Sequence, residues 1–254
     1  MFASLRGLLT GTVVAGLLMG VLPAATAAAG PVQMAAAKRK VFLPHKSRVW
    51  QIFTVPAGVT ALTIDAVGGG GGGGAGTWTS SYDGGQGGGA GAVVRCQVAV
   101  RPRMAIAVQV GYGGNGGPHF RHDPNRAAGL GGQTANVQSE RRGPSSPGSG
   151  LVANAGDGGQ SGYNNESRTT AGGKGATRAS CVSLGQKTDP VSFTAGGDGQ
   201  DGNDVRGGAG GKAGPIPAGC PKGSGAGGKG GHSAKDKKLA EGHRGGNACV
   251  VLSW

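Results

Sequence analysis

The densest group of potentially reactive side chains in this 254-residue chain is His119-Phe120-Arg121-His122-Asp123. Two imidazoles three residues apart can offer two nitrogens to a metal ion. A third ligand would have to fold over from His232 or His243 before a water could be held and activated. Loops of this composition are more often plain polar surface, so no metal or other cofactor is expected. Metal-assisted hydrolysis through His119 and His122 stands as an alternative. Nucleophilic catalysis lacks its signature, since no serine sits in a G-x-S-x-G elbow and most Asp and Asn residues lie in glycine turns, where they bond local backbone. Gly111 to Gly116 satisfies G-x-G-x-x-G, but the pattern arises by chance in a glycine-rich chain and no helix-forming segment follows it. No G-x-x-x-x-G-K-[ST] occurs, so a nucleotide ligand is not expected, and the chain is read as a non-enzyme.

The remaining chemical signals are charge and cysteine. Lys and Arg total 25 against 12 acidic residues, a net charge of +13. Residues 1–29 read as a secretory leader: Arg6 is the basic end, Leu8 to Leu22 the apolar run, and Ala25 to Ala29 the small-residue cleavage region. The apolar run is short for a membrane span, so soluble export is expected, with a mature chain starting near Gly30 and localised outside the cell or on its envelope. Outside the cytosol Cys96, Cys181, Cys220 and Cys249 should form two disulfides. Three connectivities are possible. Cys96 with Cys249 and Cys181 with Cys220 is the favoured one, because Cys96 and Cys249 fall in strand-like segments at opposite ends of the domain. The excess positive charge favours an anionic partner, a cell-wall polymer or a surface protein. Arg121, Arg126, Arg141, Arg142, Lys235, Lys237 and Lys238 fall in glycine-poor insertions that should be loops. The lack of interleaved aromatics speaks against nucleic acid. A purely structural extracellular protein with incidental charge is the other alternative.

These residues need a scaffold, and the composition restricts it. Glycine accounts for 58 of 254 residues and aromatics for only 4%, too few large side chains for a conventional enzyme core. The 13 prolines and the irregular glycine register exclude collagen. Strand signals are confined to a few places. Trp50 to Val55 and Val59 to Val67 read as one hairpin across Pro56-Ala57-Gly58, with Leu62, Ile64 and Ala66 on one face. Ala92 to Val100 and Met104 to Val110 read as a second hairpin, and Ala248 to Trp254 as a last strand that could pair with the start of the domain.

All but six of the glycines lie between Gly68 and Gly246. Spacings of three recur there, as in Gly111, Gly114, Gly117 and Gly208, Gly211, Gly214. Three residues make one turn of a polyproline-II-type helix, which has no internal hydrogen bonds but can exchange them laterally with parallel copies. Disorder is the competing state, because glycine loses the most entropy on ordering. Strands at both ends and cysteines inside the region argue for order.

The run Phe53-Thr54-Val55-Pro56-Ala57-Gly58-Val59-Thr60, continuing through Ile64 to the tract Gly68 to Gly74, resembles the opening of bacterial and phage glycine-rich domains. Gly87-Gly88-Gly89, Val108 to Gly114, Gly131 to Thr134, Leu151 to Ala153 and Val250 to Trp254 follow in that family's order, so the resemblance spans roughly 49–254. It implies a β-hairpin scaffold carrying a polyglycine-II sandwich, as in phage tail-fibre tip adhesins and the glycine-rich region of some receptor tyrosine kinases, with partners bound through loops at the ends of the glycine helices. Two features depart from the family: the leader, and the glycine-poor stretches Ser139 to Ser149 and Thr177 to Phe193. The expected organisation is a leader over 1–29, a flexible basic connector over 30–47 and a glycine-rich domain over 48–254. The expected fold is mostly β and irregular, with little α-helix apart from the leader.

Overall fold

The structure, a computed structural model, describes residues 38–46, 49–78, 82–118, 129–139, 150–153, 172–183, 186–203, 205–233 and 240–254. The expected leader lies outside these. The strands are β1 Arg39–Phe42, β2 Gln51–Thr54, β3 Ala61–Val67, β4 Thr77–Trp78, β5 Tyr82–Asp83, β6 Val93–Ala99, β7 Ala105–Val110, β8 Ala135–Ser139, β9 Gly150–Ala153, β10 Ala179–Ser183, β11 Gln186–Thr188, β12 Ser192–Thr194 and β13 Cys249–Ser253. All pairings are antiparallel. The described residues are mostly β and irregular and contain no α-helix.

Two sheets form a sandwich. One has the order β1-β13-β3-β6-β12 and the other β11-β10-β9-β8-β7-β2, while β4 and β5 make a separate small ladder. The period-two faces meet between the sheets. Leu62, Ile64 and Ala66 of β3, Val94, Cys96 and Val98 of β6 and Val250 and Leu252 of β13 are buried in one cluster with Ile106, Val108 and Val110 of β7. The last strand does find the start of the domain: Phe42 pairs with Val250 in β13, which is inserted between β1 and β3. Trp254 closes this edge, its ring 4.9 Å from that of Phe53.

Three expectations need correction. Neither expected hairpin exists, because β2 pairs with β7 and β3 with β6, so the two turns are arches that carry the chain from one sheet to the other. The arches bond to each other, Val55 N donating to Met104 O at 2.9 Å and Val100 N to Thr60 O at 2.9 Å. The expected connector contains β1, whose Arg39 and Lys40 lie opposite Ser253 and Leu252. The disulfides join Cys96 to Cys181 and Cys220 to Cys249. Cys96 and Cys249 lie in β6 and β13, which flank β3 on opposite sides, at Ile64 and Val67 respectively. Strands two apart are roughly 9.5 Å from each other, beyond the reach of a disulfide. Cys96 instead faces the core and meets Cys181 of β10 in the opposite sheet, with both residues fully buried. Cys220 pins a strap to the outer face of β13. Just before it, Pro215 to Ala218 line an open cavity together with the cross-strand pair Asp65 and Arg95.

The glycine tracts are ordered by lateral hydrogen bonds with a repeat of three. Along 68–76, the N–H groups of Gly68, Gly71 and Gly74 donate to Ala92, Gly89 and Gln86. Those of Gly70, Gly73 and Gly76 donate to Gly246, His243 and Ala240, and those of Gly69 and Gly72 to Gln133 and Leu130. Successive residues thus point to three different neighbours, the lateral bonding of a polyglycine-II helix. In return this segment accepts from Gly114 and Gly117 and from Gly228 and Gly231. A surrounded segment leaves no room for a side chain: a Cβ at Gly70 would overlap the Ala226 carbonyl. At the bundle's surface exposed positions recur in step with the repeat, as at Asn115 and Pro118 on 111–118 and at Asp198 and Asp201 on 196–203, where Gln200 and Asn203 are exposed as well.

Candidate functional site

Each outgoing glycine segment starts at a strand of the sandwich and ends far from it. Segment 68–76 leaves β3, turns through β4 and β5, and returns as 84–92 to β6; 111–118 leaves β7, and 129–134 returns to β8. Segment 225–233 runs outward and 240–247 returns to β13. The described flanks of these reversals therefore gather at one distal end, where they are bonded to one another. Ser233 N donates to Val205 O at 3.1 Å, Ser233 Oγ to Thr77 O at 3.1 Å, Gly76 N to Ala240 O at 3.0 Å and Gly84 N to Asn203 O at 2.9 Å. Ser233 is 1% exposed and Thr77 2%, so the base of this end is packed even though most of its contacts are backbone.

The basic residues selected from the sequence, Arg121, Arg126, Arg141, Arg142, Lys235, Lys237 and Lys238, all lie outside the described residues, as do His119 and His122. Their flanks are described, and these separate the set. Pro118 and Gly129 bracket Arg121 and Arg126, and Ser233 and Ala240 bracket Lys235, Lys237 and Lys238; all four flanks are at the distal end. Ser139 and Gly150, which bracket Arg141 and Arg142, lie at the ends of β8 and β9 remote from the glycine segments.

Among the described residues no three His, Cys, Asp or Glu side chains come together to hold a metal ion. The Gly111 to Gly116 fingerprint is a glycine segment, with Gly114 N bonded to Gly70 O and Gly113 N to Asn247 Oδ1, so these donors are already committed to the bundle. Arg244 lies over the Tyr112 ring at 5.4 Å beside it.

An acidic face was overlooked in the sequence, though its signal was there. Asp198 and Asp201, spaced by three, both turn toward segment 172–177: Asp198 Oδ1 accepts from Gly175 N and Asp201 Oδ1 from Gly172 N, each at 2.8 Å. Lys174 Nζ also donates to Asp198 at 2.8 Å. These two bonds, the lysine's first, hold the Asp198 carboxyl below its ordinary range, and the same contact raises Lys174. Because the folded value lies below the unfolded one, the carboxylate's contribution to holding 172–177 is complete at neutral pH. It is lost as the pH falls below about 4, through the folded value. The expected result is a Gly175 amide resonance that shifts only in that acid window, and an Asp198→Asn variant in which this titration is absent. An Asp198 carboxyl titrating at its ordinary value would contradict it.

The glycine-rich domain family matches residues 46–254, and the chain belongs to that family. No curated protein matches the chain. The fold defines what the match covers: a disulfide-bonded antiparallel sandwich carrying a laterally hydrogen-bonded glycine bundle. Two disulfides fit a non-reducing setting. Among the described residues no helix is long and apolar enough to cross a membrane.

Proposed function

We propose that the chain is exported by a leader over 1–29 and acts as a non-catalytic binding module that docks on an anionic cell-envelope polymer or surface protein. The basic residues whose flanks lie at the distal end of the glycine bundle carry the contact. The observation behind this reading is the convergence of the flanks of the chain reversals at one end of the bundle. The sides of the bundle carry exposed charges of both signs, Asp198, Asp201 and Glu241 beside Lys174, Lys212 and Lys229, whereas the segments 119–128 and 234–239 between those flanks hold five Lys and Arg against two Asp. Arg121 and Arg126 lie in sequence between Pro118 and Gly129, and Lys235, Lys237 and Lys238 between Ser233 and Ala240, which makes them the contact set. Arg141 and Arg142, flanked at the other end, drop out of it. The likeness to adhesive tips of tail fibres fits the same arrangement.

Binding to cell-wall fractions across a salt series tests this. Screening should weaken a contact through several cations steeply as ionic strength rises. Reversing the five distal charges should lower affinity by at least about a hundredfold, since each cation near an anionic surface contributes about 1 kcal/mol. Reversing Arg141 and Arg142 should change it little. Binding that ignores salt or survives the fivefold reversal would remove the mechanism, and no saturable binding at all would leave a purely structural protein.

A further inference from the structure

A cavity of about 570 Å³ opens at the sandwich edge where the chain crosses from β11 to β12, well within the range of small-ligand sites. Its position follows from the register. Phe193 of β12 lies opposite Val94, whose side chain is in the core, so Phe193 stands on the inward face of its sheet. It nevertheless remains 41% exposed, because the described residues leave the interlayer space at this edge unfilled. Pro190 and Ala179 complete the apolar wall, and Thr177, Arg178, Ser180 and Lys187 supply the polar lining. Among the described residues neither Arg178 nor Lys187 makes an ion pair.

This combination selects a ligand class. Two unpaired cations call for an anion, and the planar guanidinium fork of Arg178 matches a carboxylate or a phosphate through two parallel hydrogen bonds. An aromatic face carries partial negative charge and accepts the C–H groups of a saturated ring. Two hydroxyls beside it can each donate to the anion, and their capacity to accept as well as donate suits a hydroxylated ring. We propose that this sandwich-edge cleft is a binding site for an acidic sugar, its ring on Phe193 and its charge held by Arg178 and Lys187. The site is on the sandwich, is independent of the distal basic residues and does not rest on their proposed role.

Titrating the intact chain, followed by backbone amide NMR, with D-glucuronate, glucose 6-phosphate, glucose and acetate provides the test. Saturable shifts at Ala179, Ser180 and Phe193 are expected with glucuronate or glucose 6-phosphate, and which of the two binds identifies the anion. Glucose and acetate, each lacking half of the recognised chemistry, should bind roughly tenfold more weakly or worse. Phe193→Ala and Arg178→Ala should each weaken binding by about the same factor, with Arg178→Lys retaining part of it. Both side chains are exposed, so an unchanged spectrum of the glycine segments would establish that the variants fold. Equal binding of glucose and glucuronate, no shifts at the cleft, or indifference to Phe193→Ala would overturn the proposal. Charge reversal of Lys235, Lys237 and Lys238 should leave the titration unchanged. If that variant abolishes the shifts, the ligand binds at the distal end and the cleft assignment fails.

Discussion

Replacing Gly88 by alanine is expected to destabilise the domain by roughly 3 to 5 kcal/mol, a large part of the stability of an ordinary domain. One methyl group has this effect because of where it would sit. A Cβ at Gly88 overlaps the carbonyl of Gly71, a backbone atom with no rotamer to change. Relief would require segment 84–92 to move, and that segment is bonded on all sides: to 68–76, to 196–203 through Gly87 and Ala90, to 225–232 through Gly85, Gly88 and Gly91, and to the donors Gly173, Ala176, Gly208 and Gly211. Overpacking a well-filled interior costs about 1–3 kcal/mol, and each lateral bond broken adds about 1 kcal/mol. Asn115→Ala, at an exposed position one turn along another segment, should change stability by no more than about 0.5 kcal/mol. Denaturant midpoints of the two variants decide the matter: equal and small effects would mean that the bundle does not pack as described.

The second large effect concerns the bridge between the sheets. Cys96 and Cys181 are 85 residues apart, and closing a loop of that length restricts the unfolded chain by roughly 4 to 5 kcal/mol in the chain-entropy treatment. The Cys220–Cys249 bridge spans 29 residues and should contribute nearer 3 to 4 kcal/mol on the same basis. Paired alanine substitutions at Cys96 and Cys181 should therefore lower the unfolding free energy more than those at Cys220 and Cys249. Under mild reductant the order reverses in time. Cys220 is partly exposed whereas Cys96 and Cys181 are fully buried, so the strap should be released first. Alkylation followed by peptide mapping gives that order directly, and early labelling of Cys96 or Cys181 would count against the buried position of the bridge.

Much of this architecture was visible in residue spacing, and the parts that were not have identifiable reasons. Leu62, Ile64 and Ala66 announced a half-buried strand because a pleat alternates its faces. The triplet Gly111, Gly114, Gly117 announced a three-residue helix, and Gly114 and Gly117 do donate in step to Gly70 and Gly73. Hairpins and arches, by contrast, produce the same alternation: Pro56-Ala57-Gly58 can turn the chain back along its own sheet or across to the other, and only the partners decide. Disulfide pairing failed for the same reason, since it depends on which strands flank β3. The strand Arg39–Phe42 was hidden because its first two residues are basic and its partner is at the far end of the chain. Composition marked the basic segments, but the division of their flanks between the two ends of the domain needed the topology. The acidic pair Asp198 and Asp201 was legible in principle, as outward positions of a three-residue repeat.

The insertion of β13 between β1 and β3 also governs how the molecule comes into being. Val67 finds its neighbour Cys249, and Val41 finds Val251, only after nearly the whole intervening chain has been gathered in. Closing such long loops costs entropy before any contact rewards it, and a glycine segment without side chains offers no early hydrophobic cluster in compensation. Assembly should therefore be slow and concerted, with the bundle zipping up only once the central sheet is complete. Until then the N–H groups of the glycine segments have only water for partners.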